Sequence, residues 1–417
     1  MVKPEKLQES QRIYVTDWRI DKLMMKGKLR NEFKLSEWSG AVGDIGTTLP
    51  IAFALIVFNG FPPERIFFLW GIIYIITGGY FKVPVSVQPL KAVAVIAIAN
   101  GFTTEMLSST AVFYGILLII LSTSGILKWL QKLFSDALIK GVQLGIGLIL
   151  AKKAIHLVLN NGLLLYFSDT SNFISIVLVI TVIIILWYFQ FRRTIPAIIP
   201  VLIVSTIIVI LFGVKPEFYG FSGTLILLQF PNKYIFLDVL LLLIIPQLPL
   251  TLGNAVFAAS DSCKSLWGSQ SRRVSPKRLG VSMGLSNVVI GFLGGFPICH
   301  GAGGIGAHAQ FGGKTGGTTI ILGLLFVLLA IIPNTSGLLF LIPIPVLAAL
   351  LLFDSVRMMM FMKKLSNITE VVIAIIVGSV ALISNNLTIA LMIGLSFGKI
   401  ADLTAKRNCQ LSGRRFL

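Results

Sequence analysis

Long uncharged stretches constrain this chain more than any other feature. Residues 106–127, 170–191, 194–214, 239–260, 315–353 and 371–398 contain no Asp, Glu, Lys or Arg. Each matches or exceeds the roughly 20 residues that carry a helix across a bilayer core. Only 12% of the 417 residues are charged and the mean hydropathy is +0.90, whereas a soluble domain carries about 25% charged residues. A soluble fold is excluded, and one multi-pass membrane domain is expected.

The net charge of +18 raises the question of nucleic acid. The basic residues lie between the apolar runs and in the tails, not on one folded face, so they read as topology signals and no nucleic acid partner is implied. Nine of the first 34 residues are Lys or Arg. With no apolar core stretch this is not a secretory signal; it is a basic amphipathic helix on the inner membrane surface or a disordered tail. Cys263, Cys299 and Cys409 are too scattered for a disulfide framework or a metal site, and no cofactor is implied.

Splitting the long runs at their turn residues, including 333–337 and Ser384-Asn385-Asn386, gives about 14 membrane elements. With the N-terminus inside, 29 Lys or Arg fall on the cytoplasmic side and five outside (Arg65, Lys152, Lys153, Lys215, Lys233), while Lys91 lies within the membrane. The positive-inside rule then places both termini in the cytoplasm, with a loop over 262–278 as the largest internal one. The expected fold is an all-α integral membrane protein, a 7+7 inverted repeat with two broken half-helix elements. Repeat 1 runs over about 40–213 and repeat 2 over about 239–402, flanked by cytoplasmic tails at 1–39 and 403–417. The plasma or inner membrane is the expected location.

The third and tenth elements are interrupted by Pro or Gly and carry polar groups at mid-depth: Pro84-Val85-Ser86-Val87-Gln88-Pro89-Leu90-Lys91, and Phe296-Pro297-Ile298-Cys299-His300-Gly301-Ala302-Gly303-Gly304. Paired, broken, polar segments in corresponding positions point to a transport site. A short helix starting at Pro89 would aim its free N–H groups, its positive dipole end and Lys91 at mid-membrane, which outlines an anion site. A proline kink with Lys91 snorkelling to an interface is the alternative.

From Gly291 to Gly317, eleven of 27 residues are glycine. Close helix packing explains that richness, as does backbone approach to a ligand at Gly301, Gly303 and Gly304. The GxGxxG at 301–306 lacks a βαβ context, and Gly312-Gly313-Lys314-Thr315 lacks the first glycine of a phosphate loop, so neither reads as a nucleotide site. Further intramembrane polar groups are Asp44, Thr47 and Thr48 in the first element, Gln247, Thr251 and Asn254 in the eighth, and His300 and His308 in the tenth. A carboxylate at mid-helix needs a partner; Lys91 is the expected one for Asp44, unless Asp44 caps its helix at the cytoplasmic edge. The Thr, Gln and Asn side chains serve a ligand or bond between helices.

Gly43-Asp44-Ile45-Gly46-Thr47, Val87-Gln88-Pro89-Leu90-Lys91-Ala92, 247–255 and Cys299-His300-Gly301-Ala302-Gly303-Gly304 together resemble the molybdate transporter family, a branch of the sulfate permease superfamily. The resemblance implies a uracil-permease-like fold, with a core domain, a gate domain and substrate held between half-helices by alternating access. The short tail after Asp402 favours the molybdate branch over sulfate permeases with a C-terminal regulatory domain. The family's aromatic and basic pair after His308 is replaced by Ala309 and Gln310, and its usual alanine by Gly313. Substrate therefore stays open among molybdate, tungstate, sulfate and other anions. The substrate-binding set is Gln88, Lys91, Thr47, Gln247, Thr251, Asn254, His300, Gly301, Gly303 and Gly304, with Asp44 as coupling candidate. The expected partners are a small oxyanion, the lipid bilayer, a coupling proton and a second copy in a homodimer. A selective anion channel and a nucleobase symporter share these features. A membrane enzyme lacks a convergent acid, base and nucleophile set.

Overall fold

The computed structural model describes residues 29–160, 172–192, 195–211, 224–332 and 342–399. In the first half the helices are α1 (Leu35–Gly43), α2 (Ile45–Asn59), α3 (Pro63–Phe81), α4 (Lys91–Asn100), α5 (Thr104–Thr123), α6 (Leu127–Leu133), α7 (Asp136–Asn160), α8 (Asn172–Arg192) and α9 (Ile198–Leu211). In the second half they are α10 (Lys233–Arg273), α11 (Pro276–Phe292), α12 (Ala302–Gln310), α13 (Gly317–Ile331), α14 (Ile344–Met359), α15 (Ile368–Ser384) and α16 (Leu387–Lys399). By length and apolarity α5, α7, α10 and the helix Ile344–Lys364, which extends α14, are long enough to cross a membrane, and α1 with α2, bent by 44°, makes a fifth candidate. Ile180, Ile184 and Trp187 on α8 and Ile203 and Ile207 on α9 are exposed, as a lipid-facing surface requires.

Glycine sets the closest helix approaches. A Cβ on Gly71 of α3 would stand 2.7 Å from the Gly323 carbonyl of α13, and one on Gly115 of α5 would stand 2.6 Å from the Gly284 carbonyl of α11. In hydrocarbon no water competes, so such van der Waals contact holds helices together.

Two expectations are corrected here. The 262–278 loop is largely helix: α10 runs on to Arg273, and a Ser275-capped start of α11 follows at once. Two π-helical stretches, Leu240–Ile244 and Thr251–Ala258, widen α10 around Pro246 and Pro249, where proline removes backbone donors. The half-helix begins at Lys91, not Pro89, because Pro89 is held in an extended pairing. The phosphate-loop look-alike, not read as a nucleotide site, has a partner within the chain. The amides of Lys314 and Thr315 donate to the Glu37 carboxylate at 3.2–3.3 Å, and Thr318 Oγ1 donates to it as well. The nest is real, but the chain's own α1 fills it. The break at Ser384-Asn385-Asn386 is present, with Asn385 left-handed at φ 52°. The 333–337 break, the N-terminal basic segment before residue 29, Cys409 and the C-terminal tail lie outside the described residues.

Candidate functional site

The two broken segments meet. β1 (Gln88–Pro89) pairs antiparallel with β2 (Ile298–Cys299), Gln88 opposite Cys299 and Pro89 opposite Ile298. Extended backbone at this depth must find partners inside the protein, and it does. The Leu90 amide donates to Pro297 O at 3.1 Å. On the far edge of β2, Asn287 donates from Nδ2 to Ile298 O and accepts from Ile298 N through Oδ1, at 2.9 and 2.7 Å. Trp70 Nε1 donates to Phe296 O at 3.1 Å and Ser86 Oγ to Gly301 O at 2.8 Å. These bonds fix where α4 and α12 begin.

His300 serves the same crossing. Its Nδ1 pairs with Ser86 O at 2.8 Å and its Nε2 with Ser282 Oγ at 3.1 Å, and the ring is buried against Phe81. Both nitrogens are therefore engaged by protein. Gln247 caps α4: its Oε1 accepts from the amides of Ala92 at 2.9 Å and Val93 at 3.3 Å. The free N–H groups expected at that helix start are thus partly taken, although a neutral amide leaves the helix dipole in place. Thr251 accepts from Gln247 Nε2 at 3.1 Å and from the Tyr114 hydroxyl at 2.5 Å, so it braces Gln247. Asn254, half-buried in a π-helical stretch, lies beside Gly301.

Asp44 does not pair with Lys91. Its Oδ1 accepts from Gln88 Nε2 at 2.5 Å and Thr47 Oγ1 at 2.7 Å, and its Oδ2 accepts from the Tyr74 hydroxyl at 2.7 Å. Nor does its side chain cap α2. His308 Nε2 stands 3.6 Å from Asp44 Oδ2, both side chains fully buried. Three donors at hydrogen-bond distance outcompete a lysine that can reach open space.

That open space is a cavity of about 210 Å³ lined by Thr47, Lys91 and Gly303 on one side and by Leu150, Asp354, Arg357, Met358 and Phe361 on the other. A second cavity of about 170 Å³, lined by Gly43, Phe189, Ala307, Gln310 and Phe311, shares Thr47, Asp354 and Arg357 with the first. Of the site residues expected from sequence, Thr47, Lys91 and Gly303 line the first cavity. Gln88, Gly301 and Gly304 stand behind it: a Cβ on Gly301 would strike Gln88 Oε1, and one on Gly304 would stand 2.5 Å from Asp44 Oδ1 and 2.6 Å from Gln88 Nε2. A Cβ on Gly303 would meet nothing within 4 Å, so Gly303 is small for the cavity and Gly304 is small for packing.

Sequence reasoning missed Asp354 and Arg357, a pair 3.7 Å apart on α14. Their signal was an acid and a base three apart where the uncharged 315–353 run ends, which reads locally as a membrane-edge pair. Among the described residues no group of three His, Cys, Asp or Glu is placed to hold a metal ion.

The family model described as "Molybdate transporter of MFS superfamily" matches residues 36–150 and 239–358, which include both broken segments and Asp354 with Arg357. "Molybdate transporter 1" of Arabidopsis thaliana is 26% identical over 411 residues, covering 87% of each chain. "Molybdate transporter 2" of the same plant is 25% identical, covering 85% of this chain and 86% of its own. Among solved structures, the transmembrane domain of a cyanobacterium bicarbonate transporter, BicA, superposes with a TM-score of 0.62 at 18% identity, covering 88% of this chain and all of that one. Murine Slc26a9, an anion transporter in the inward-facing state, gives a TM-score of 0.66 at 14% identity over 95% of this chain and 74% of its own. The fold is that of these transporters, and the chain, matched by the family model over more than half its length, belongs to the molybdate transporter family.

Proposed function

We propose that this membrane protein carries a small tetrahedral oxyanion, molybdate first and tungstate or sulfate as its competitors, by alternating access. The observation that supports it most is the antiparallel meeting of β1 and β2, which sets the starts of α4 and α12 beside one cavity with Lys91 at its wall. A dianion leaving water needs compensating positive charge. Lys91 supplies one charge and two helix starts roughly half a charge each, while Arg357 offsets Asp354. That is close to two positive charges, a match for a dianion. An ionised Asp44 behind the cavity lowers the total by one, so uptake is driven by acid.

In this reading the helices form a 7+7 inverted repeat, α14 belongs to the gate, and the broken segments belong to the core. The site opens alternately as the two move past one another. Both termini face the cytoplasm. Cys263 is buried, so topology is best tested by impermeant labelling of Ser265→Cys, an exposed position near the end of α10; strong labelling from outside in intact cells overturns the orientation.

Uptake by reconstituted vesicles, with molybdate as the tracer and tungstate, sulfate and uracil as competitors, tests the function. Tetrahedral dianions should suppress uptake and uracil should not. Dominant competition by uracil, or no oxyanion uptake at any pH, refutes the reading. Faster exchange when substrate is present on the far side distinguishes a carrier from a channel.

A further inference from the structure

The side chain of His308 is fully buried, and its two nitrogens face different partners. Nδ1 lies 2.9 Å from the Gly40 carbonyl, which can only accept, so Nδ1 carries a hydrogen. In the neutral ring Nε2 is then a bare acceptor. It has no hydrogen-bond partner and stands 3.6 Å from Asp44 Oδ2, itself an acceptor. Two buried acceptors facing each other lack one hydrogen.

Gln88 shows the complementary defect. Its Nε2 donates to both Asp44 and Thr47, while its Oε1 is buried without a partner and lies against Gly301 at the head of α12. An unpaired acceptor oxygen held against the head of α12, behind the cavity, works against an anion in front of it.

We infer that Asp44 and His308 together hold the coupling proton, and that its arrival frees Gln88 to turn its NH₂ toward the oxyanion. The proton comes from solution and no covalent bond other than N–H or O–H forms. Taken up by the pair, it leaves the Asp44 carboxyl neutral with its O–H toward Gln88, which removes the charge that fixes the Gln88 amide. The amide then rotates: its Oε1 accepts from the Asp44 O–H and the Thr47 hydroxyl in the place its Nε2 held, and its Nε2 turns toward Gly301. The second cavity is lined by Gly43 and Ala307, the chain neighbours of Asp44 and His308, so it comes within one residue of the pair. Thr47, bonded to Asp44, lines both cavities.

Other ionisable groups around the pair are already committed. Tyr74 donates to Asp44, and Glu37 on α1 is held by the amides before α13. His300 is bonded at both nitrogens, and Cys299 Sγ donates to Pro89 O at 3.8 Å. Lys91 and the Asp354–Arg357 pair face the first cavity.

The inference rests on the oxyanion reading, and the test separates the two. The full-length protein in weak buffer at neutral pH is titrated with molybdate, with sulfate as a second anion, and protons taken up are counted. By linkage, an anion that binds the protonated form better draws in the proton. The wild type should take up close to one proton per anion, and by the same linkage its affinity should rise by up to about tenfold per unit fall in pH. His308→Gln and Asp44→Asn, with folding checked by thermal stability, should lose the proton uptake and flatten the pH profile. Binding without proton uptake in the wild type, or a wild-type pH slope in folded His308→Gln, overturns the inference and leaves the carrier standing. If Asp44→Asn fails to fold, the wild-type proton count and His308→Gln still decide. No anion binding at any pH refutes the oxyanion reading itself.

Discussion

The two broken segments share one backbone design and divide the chemistry between them. Each is a two-residue strand that leads within three residues into a helix, and each strand is fully buried. The first puts side chains at the crossing: Gln88 in the strand and Lys91 at the first helical position. The second has Gly301, Gly303 and Gly304 at the same stage, and its one ionisable ring there, His300, is locked to Ser86 and Ser282. Charge comes from the first segment and room from the second. Under the proposed oxyanion reading the site needs both, because a cation without space cannot meet a dianion and space without a cation cannot desolvate one.

The sharpest way to break this comparison is to remove the charge. Lys91→Gln should lower molybdate affinity by ~100-fold, the scale for removing one member of a buried charge contact, with thermal stability kept; unchanged binding isotherms would mean that the cation lies elsewhere. Removing room comes next. Gly304→Ala should cost about 1–3 kcal/mol of stability through overpacking against Asp44, Gln88 and Ser86, visible as lower thermal stability and detergent-soluble yield; a wild-type melting profile would show that the crossing is looser than drawn. Arg357→Gln tests whether α14 shares the charge: a loss of roughly tenfold in affinity is expected for a partly exposed cation, and no change in a competition assay would confine the site to the broken segments. The smallest effect belongs to Gly303→Ala, whose Cβ enters open space. Uptake should stay within about twofold of wild type, whereas Gly303→Val, with two more methyl groups in the cavity, should block it. Equal loss in both would show that Gly303 is constrained by its backbone and not by cavity space.

The comparison also shows what local pattern conveys. The two interruptions were legible because Pro84, Pro89 and Pro297 with a run of glycines cannot continue a helix, and polar residues inside apolar runs stand out. The resemblance implied that they face each other across a substrate, but their strand pairing was not legible, since β1 and β2 are 210 residues apart and two residues carry no register signal. Nor was the choice of partner for Asp44. Lys91 looked right by charge, but Tyr74, Gln88 and Thr47 reach it with better geometry. Glu37 in the amide nest before α13 and Asp354 beside Arg357 escaped notice for the same reason: each reads locally as an ordinary membrane-edge charge.

By itself the sequence determined that this chain lives in a bilayer and that its two Pro- and Gly-interrupted polar segments cannot be continuous helix. Those features follow from the cost of charge and unpaired backbone in hydrocarbon, which is paid residue by residue. Tertiary structure alone decided which polar atoms answer one another: Gln247 on the amides of α4, His300 on the strand crossing, and His308 facing Asp44 with a hydrogen missing between them. Hydrogen bonds depend on a few tenths of an ångström and on direction. Only packing helices from both halves of the chain against one another fixes such distances.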